Sequence, residues 1–285
     1  MTDRDRTYEI HEVAQLTGLE PARLRAWERR YAVVRPIRQP NGYRSYTAEQ
    51  VALLRSYARL IADGERIGDL VKRPVEEVIA RAEGRGVADT PNGAMLDAIK
   101  ALDRERLEAL VTEQLAERGL YAFAHEVVLP LGQVVGDLWA LGKLPVAGEH
   151  LASEVIIQEL KNALRRNRTN GPLAVAACLP GERHEWGILV TLADLQQRGW
   201  RLHYLGADLP VQDALEASWR LRPRVLALSA SHHSVVESAM GHLSALPGKL
   251  PPGVIPAIGG SGAEPHARLL RAFGYRIGLE AFSAA

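Results

Sequence analysis

The stretch LPGERHEWG, from Leu179 to Gly187, places a glutamate, a histidine and a glycine where an apolar run, LAVAAC, gives way to a helical pattern, GILVTLADLQQRG. An imidazole at such a junction can hold a metal or a ligand. The H-E-x-x-H zinc pattern needs a second histidine four residues on, and that position is Ile188, so metalloprotease chemistry is excluded. A second chemically capable set lies upstream. Between Pro21 and Leu60 stand nine arginines (Arg23, Arg25, Arg29, Arg30, Arg35, Arg38, Arg44, Arg55, Arg59) against Glu28 and Glu49. Such a patch suits phosphate binding, although charge alone does not separate it from a solvated arginine-rich surface.

The elements that must position these groups follow from hydrophobic period. Ile10, Val13, Ala14 and Leu16 recur at helical spacing up to Gly18, and Leu24, Trp27 and Tyr31 lie on one face of a second helix. Two short helices joined through a glycine turn make a helix-turn-helix, with Arg23, Arg25, Arg29 and Arg30 turned partly outward toward phosphates or base edges. Asn41-Gly42 then signals a two-residue hairpin, which carries Arg38, Tyr43 and Arg44 as a wing against a DNA backbone. Thr47 with Gln50 three residues later forms a capping box opening a third helix.

Residues 94–168 read as four helices joined by short loops, a small antiparallel bundle, with Asp103 capping the second and Pro130 expected to kink the third. Beyond Gly171 five short apolar strands, LAVAAC, WRLHYLG, RVLALSAS, VIPAIGG and YRIG, alternate with helices. That alternation implies a parallel sheet covered on both faces, and in the flavodoxin-like order 2-1-3-4-5 ligands bind beyond the carboxyl ends of strands one and three. His184 follows strand one, Ser229 and Ser231 follow strand three, and Gly259-Gly260 follows strand four, where absent side chains let a ligand lie against the backbone.

Composition sets the outer bounds. The 285 residues suffice for two or three domains, and 47% hydrophobic with 24% charged residues is the balance of a soluble globular protein. No apolar segment follows MTDRDRTYE as a secretory signal would require, and the longest apolar segment is interrupted by His125, Glu126, Pro130 and Asp137, so neither secretion nor a membrane span is expected. The single cysteine, Cys178, permits no internal disulfide and fits a reducing cytoplasm.

Two resemblances sharpen this reading. IHEVAQLTGLEPARLRAWERRY followed by NGYRSYTAEQVALL resembles the winged helix-turn-helix of the MerR family of transcriptional regulators, over roughly the first quarter of the chain. The long dimerising helix usual in that family is replaced by RAEGRGVADTPNGA, a polar linker, so dimerisation is sought elsewhere. ERHEWG, LSAS and IGGSG, in this order, resemble a cobalamin-binding domain with its Asp-x-His-x-x-Gly, serine and Gly-Gly motifs. That resemblance implies His184 as the lower axial ligand of cobalt, Gly187 at the start of the following helix, and Ser229, Ser231, Gly259 and Gly260 along the displaced nucleotide tail. It also implies an acidic residue orienting the histidine, here Glu182 in place of aspartate.

The W-ALGKLPVAG-EH spacing, Trp139 then Glu149 and His150, resembles the upper-face cap of light-responsive cobalamin repressors. It implies adenosylcobalamin in the dark, a photoreceptor rather than an enzyme, and a homo-oligomer, dimer or homotetramer, that releases operator DNA after photolysis. The residue after the cap tryptophan is Ala140, which cannot replace a histidine as upper cobalt ligand and leaves His150 or His125 to be considered. The expected division is a DNA-binding domain at 1–80, a linker at 81–93, a helical cap at 94–170 and an α/β domain at 171–285. A light-independent cobalamin regulator and a corrinoid methyl carrier for a methyltransferase are the competing readings.

Overall fold

The computed structural model describes residues 7–39, 42–84, 91–166 and 169–282. Two compact units emerge, Met1–Gln114 with Pro130–Val155, and Leu115–Leu129 with Ile156–Ala285.

In the first unit, strand β1 (Thr7–Glu9) leads into helix α1 (Ile10–Thr17), where the Glu12 carboxylate accepts from the Glu9 amide at 2.7 Å. Gly18, at φ +68°, ends α1 in the left-handed conformation that lacks a penalty only for glycine. Pro21 opens α2 (Pro21–Tyr31) at the position where its missing amide costs nothing. Val13, Leu24, Trp27 and Tyr46 bury themselves in one core, so the two helices are fixed by packing rather than by propensity.

Strands β2 (Ile37–Arg38) and β3 (Arg44–Thr47) pair antiparallel, with Arg38 opposite Arg44. The turn between them is longer than the two-residue link expected from the sequence. Gln39 donates its amide to the Tyr43 carbonyl at 2.9 Å, and Gly42, at φ +81°, donates to the Gln39 carbonyl at 2.8 Å. Asn41 lies outside the described residues. Thr47 and Gln50 form the expected capping box on α3 (Ala48–Ala62), followed by α4 (Ile67–Leu70) and α5 (Val75–Gly84). The expected linker is helical at both ends, since α5 reaches Gly84 and α6 (Pro91–Ala101) starts at Pro91; its residues 85–90 lie outside the described ones.

Helix α7 (Arg104–Ala122) is capped by Asp103, which accepts from the Arg106 amide at 3.0 Å, and is broken at Gly119 (φ +75°, ψ 165°). The next helical stretch therefore starts at Leu120, as its sequence suggests. It passes through a π-helical segment, Phe123–Val128, before α8 (Leu129–Ala140). Pro130 has no N–H to offer and its ring would crowd the carbonyl four residues back, so the wider turn just ahead of it accommodates the ring. Helix α9 (Val146–Arg166) follows.

The second unit holds strands β4 (Leu173–Cys178), β5 (Arg201–Tyr204), β6 (Val225–Ser229), β7 (Ile255–Gly259) and β8 (Arg276–Ile277). They alternate with α10 (Trp186–Gln197), α11 (Val211–Leu221), α12 (His233–Ala245) and α13 (Ala267–Phe273). The sheet is parallel with order β5-β4-β6-β7-β8, the doubly wound order expected from the sequence. Its winding reverses between β4 and β6, which pair from Ala174 with Val225 to Cys178 with Ser229. The loops after these two strands are therefore neighbours.

Within the first unit, Arg55 of α3 forms an ion pair with Asp137 of α8, and the two side chains are only 17% and 13% exposed. Arg55 also donates its Nε to the Leu16 carbonyl at 2.8 Å. Burial pushes the Asp137 carboxyl up to about 6, against the opposing pull of Arg55 and Arg59. Deleting one partner of such a pair leaves a buried charge, so Arg55→Ala is expected to destabilise the unit by about 3 kcal/mol at neutral pH. An added Asp137→Leu should recover most of that loss in denaturant titrations. A carboxyl whose folded pKa lies above its unfolded one binds a proton that the unfolded chain has released, so the Arg55→Ala deficit should shrink as the pH falls from 7 toward 5. Equal stability of parent and single variant would show that the pair contributes nothing.

Candidate functional site

The loop after β4 is held from two sides. Gly181, at φ +82°, donates its amide to the Asp208 carboxylate at 2.7 Å, and the Glu182 carbonyl accepts from the Asp208 amide at 2.9 Å. These bonds tie the loop to the segment after β5. The Glu182 side chain, 1% exposed, turns inward and ties it to the segment after β6.

One oxygen of that carboxylate accepts from the His184 amide at 2.8 Å and lies 2.6 Å from His184 Nδ1. The other accepts from both the amide and the hydroxyl of Ser231, each at 2.6 Å. Burial alone would push the Glu182 carboxyl up, but donation from His184 and Ser231 outweighs it and holds the group at about 2. An ionised carboxylate takes the proton on Nδ1, which leaves Nε2 as the nitrogen with a lone pair to give. The His184 side chain is 49% exposed, so the ring is fixed at its base and presented at its tip. An imidazole so oriented by a carboxylate could hold a metal through Nε2.

Beside His184 opens a cleft of about 220 Å³ on the α10 face of the sheet, lined by Gly187, Ser229, Gly259, Ser261, Leu279 and Phe282 among others. Its strand walls also include Ala227 and Ala257. Alternate strand residues share a face, so Ala227 stands with Ser229 and Ala257 with Gly259; their small side chains leave the room. The cleft lies between strand ends and α10. At Gly187 an added Cβ would meet no atom within 4 Å, so this glycine keeps space open.

Gly260 also lines the cleft, and it has a steric role that the sequence did not reveal. It stands at φ +91°, and a Cβ there would lie 2.2 Å from the Ala230 carbonyl oxygen. The missing side chain makes room for the neighbouring loop, whose Ala230 carbonyl accepts from Gly262 at 3.1 Å. Ser231 likewise lines the cleft, and its hydroxyl donates to Glu182. Ser229 and Gly259 end their strands and line the cleft as expected. Ala227 and Ala257 escaped the sequence reading; their signal is a small residue two positions before Ser229 and Gly259.

The three cap candidates lie in the first unit. Trp139 is half-buried near the end of α8, and Glu149 stands in the first turn of α9. Its carboxylate accepts from Ser153 Oγ at 2.8 Å and lies 3.6 Å from Nε2 of His150, an exposed side chain. His125, in the second unit, is engaged elsewhere, with Nε2 2.5 Å from Asp194 of α10 and its ring against Tyr121.

On the helix-turn-helix, Arg23, Arg25, Arg29, Arg30, Arg38 and Tyr43 are exposed. Arg44 turns inward instead and donates its Nε to Glu28 at 2.8 Å, bracing the hairpin against α2. The same carboxylate accepts from the Tyr46 hydroxyl.

Residues 8–72 match the MerR HTH family regulatory protein family, and residues 93–162 match the B12 binding domain family. The HTH-type transcriptional repressor CarH of Myxococcus xanthus is 35% identical over 277 residues, covering 92% of this chain and 91% of its own. The repressor CarA of the same organism is 33% identical over 94% of this chain and 91% of its own. In fold, the monomethylamine corrinoid protein of Methanosarcina barkeri superimposes with a TM-score of 0.52 at 17% identity, over 64% of this chain and 89% of that one.

The two glycines separate by experiment. Gly187→Leu should fill the cleft and weaken cobalamin binding with little change in melting temperature. Gly260→Ala should lower the melting temperature, because the loop after β6 must move. Reversed effects would contradict the roles given to these glycines.

Proposed function

Because the chain belongs to the family of HTH-type transcriptional repressors represented by CarH and CarA, we propose that it represses transcription in the cytoplasm under control of bound adenosylcobalamin. The observation that carries this reading is the Glu182–His184–Ser231 contact beside an open cleft, on a chain whose other end is a basic helix-turn-helix. It acts as a regulator and not as an enzyme.

In this reading the DNA-binding head is 1–80, the linker 81–93, the cap 94–170 and the cofactor domain 171–285. Nε2 of His184 would hold the cobalt of bound cobalamin, with Glu182 and Ser231 fixing the ring. Ser229, Gly259 and Ser261 border the nucleotide tail along the cleft. Trp139, Glu149 and His150 are the cofactor-binding residues of the cap, where a large apolar ring can exclude water. Adenosylcobalamin supplies a light-labile cobalt–carbon bond. Ala140 offers no side-chain nitrogen, so the turn after Trp139 supplies no imidazole to the cofactor.

Arg23, Arg25, Arg29 and Arg30 on α2 face the major groove of operator DNA, and Arg38 and Tyr43 on the hairpin face its backbone. Arg44 contributes through its brace to Glu28. Cobalamin-bound chains join as a dimer or tetramer, and linked heads raise the effective concentration of each at the operator.

The test is operator binding by the full chain loaded with adenosylcobalamin, in the dark and after green light. Binding is expected in the dark and is expected to fall after illumination together with a loss of oligomer. Arg25→Ala should weaken dark binding and lower the slope of log affinity against log salt by about one. Light-insensitive binding that nevertheless required cobalamin would instead favour the light-independent regulator.

A further inference from the structure

His184 is followed by a second acid, Glu185, whose side chain serves a different set of partners. Glu185 precedes the first turn of α10, where a carboxylate ordinarily caps free amides. It makes no side-chain cap bond. Its carboxylate accepts instead from the Tyr204 hydroxyl at 2.7 Å and pairs with Lys161 Nζ at 2.6 Å, the two charged side chains being 13% and 28% exposed. Tyr204 ends β5, and its oxygen lies 3.5 Å from Cys178 Sγ at the end of β4. That thiol in turn faces the His184 carbonyl at 3.9 Å. Lys161 Nζ also sits 5.6 Å from the centre of the Tyr204 ring.

His184 thus stands between two anchors. Glu182 holds its ring and amide, whereas the chain through Glu185, Tyr204 and Cys178 closes on its main chain from the other side. Burial pushes the Tyr204 hydroxyl and the Cys178 thiol up, so both keep their protons and the tyrosine donates to Glu185. The charge on Lys161 answers the charge that Glu185 brings into a half-buried place.

We propose that Glu185, held by Lys161 and Tyr204, is the positioning residue that fixes the main chain of His184 and thereby the projection of its imidazole toward the lower face of a corrinoid. This rests on the reading of His184 as the lower ligand. Loosening Glu185 leaves Glu182 and Ser231 in contact with the ring but frees the backbone that carries it.

The full-length protein, with Glu185→Gln, Glu185→Ala, Lys161→Met and His184→Ala variants, is titrated with adenosylcobalamin and followed by absorption. The cofactor-free proteins are treated with a thiol reagent that reads access to Cys178. Glu185→Ala is expected to weaken binding about ten-fold, the lower end of the loss seen when a ligand's supporting partners are removed. At saturation it should retain a fraction of cobalamin without the histidine-ligated signature, and its Cys178 should become reactive. Glu185→Gln keeps an acceptor for Tyr204 but loses the charge pair, so it and Lys161→Met should fall between parent and Glu185→Ala.

A merely structural role would lower stability while leaving the saturated spectrum histidine-ligated, and that result would overturn the proposal. So would parent-like affinity, spectrum and thiol protection in Glu185→Ala, provided that His184→Ala has lost the histidine-ligated signature. If His184→Ala kept that signature, the assignment of the lower ligand would fail, and the positioning role with it. Should Glu185→Ala not fold, Glu185→Gln and Lys161→Met decide the matter: saturated spectra like the parent's in both overturn the proposal.

Discussion

A carboxylate buried to 1% exposure organises the cofactor end of this chain. Taking Glu182 out of water is affordable only because each of its oxygens receives two donors, the amide and ring nitrogen of His184 on one and the amide and hydroxyl of Ser231 on the other. The same four bonds that keep the charge stable set the ring angle and the protonation of His184. Structural satisfaction and orientation of the imidazole are one requirement here, met by one side chain.

The parallel sheet is what makes the contact possible. Glu182 and Ser231 are far apart in sequence but follow neighbouring strands, because β4 pairs with β6 and the winding reverses there. Small residues complete the site. Ala227 and Ala257 thin the strand walls of the cleft, and Gly260 lets the loops after β6 and β7 meet without a side chain between them. At the other end of the chain a comparable economy holds the DNA-binding head, where Glu28 takes both Arg44 and Tyr46 and joins hairpin to helix.

Much of this was legible in the sequence, for identifiable reasons. Short apolar runs bounded by turns located every strand of the parallel sheet, and the positions of the motifs after strands one, three and four marked one edge of it, whereas the short β1 of the first unit was not read. Gly18 and the Thr47–Gln50 box marked helix ends because their local chemistry suffices. What escaped depends on contacts between segments distant in sequence. Spacing could place Ser231 near the cleft, but only the fold shows that its hydroxyl is used by Glu182. The bond from Arg44 to Glu28 was hidden for the same reason, as Glu28 lies on a different element. The longer hairpin turn at Gly42 and the π-helical segment before Pro130 depend on how the backbone relaxes around a local constraint, which residue types alone do not specify. Lys161, Tyr204 and Glu185 share no motif, so their meeting behind His184 had no sequence signal.

The central claim, that His184 replaces the cofactor's own base below cobalt, is tested most directly by electron paramagnetic resonance of the cobalt(II) state. The full chain is labelled uniformly with heavy nitrogen, loaded with unlabelled cobalamin and reduced. The expected result is that the nitrogen splitting on the cobalt lines changes from a triplet in unlabelled protein to a doublet in labelled protein, and that this response is lost in His184→Ala. A triplet that persists in the labelled protein would place the cofactor's own base on the metal and contradict the assignment.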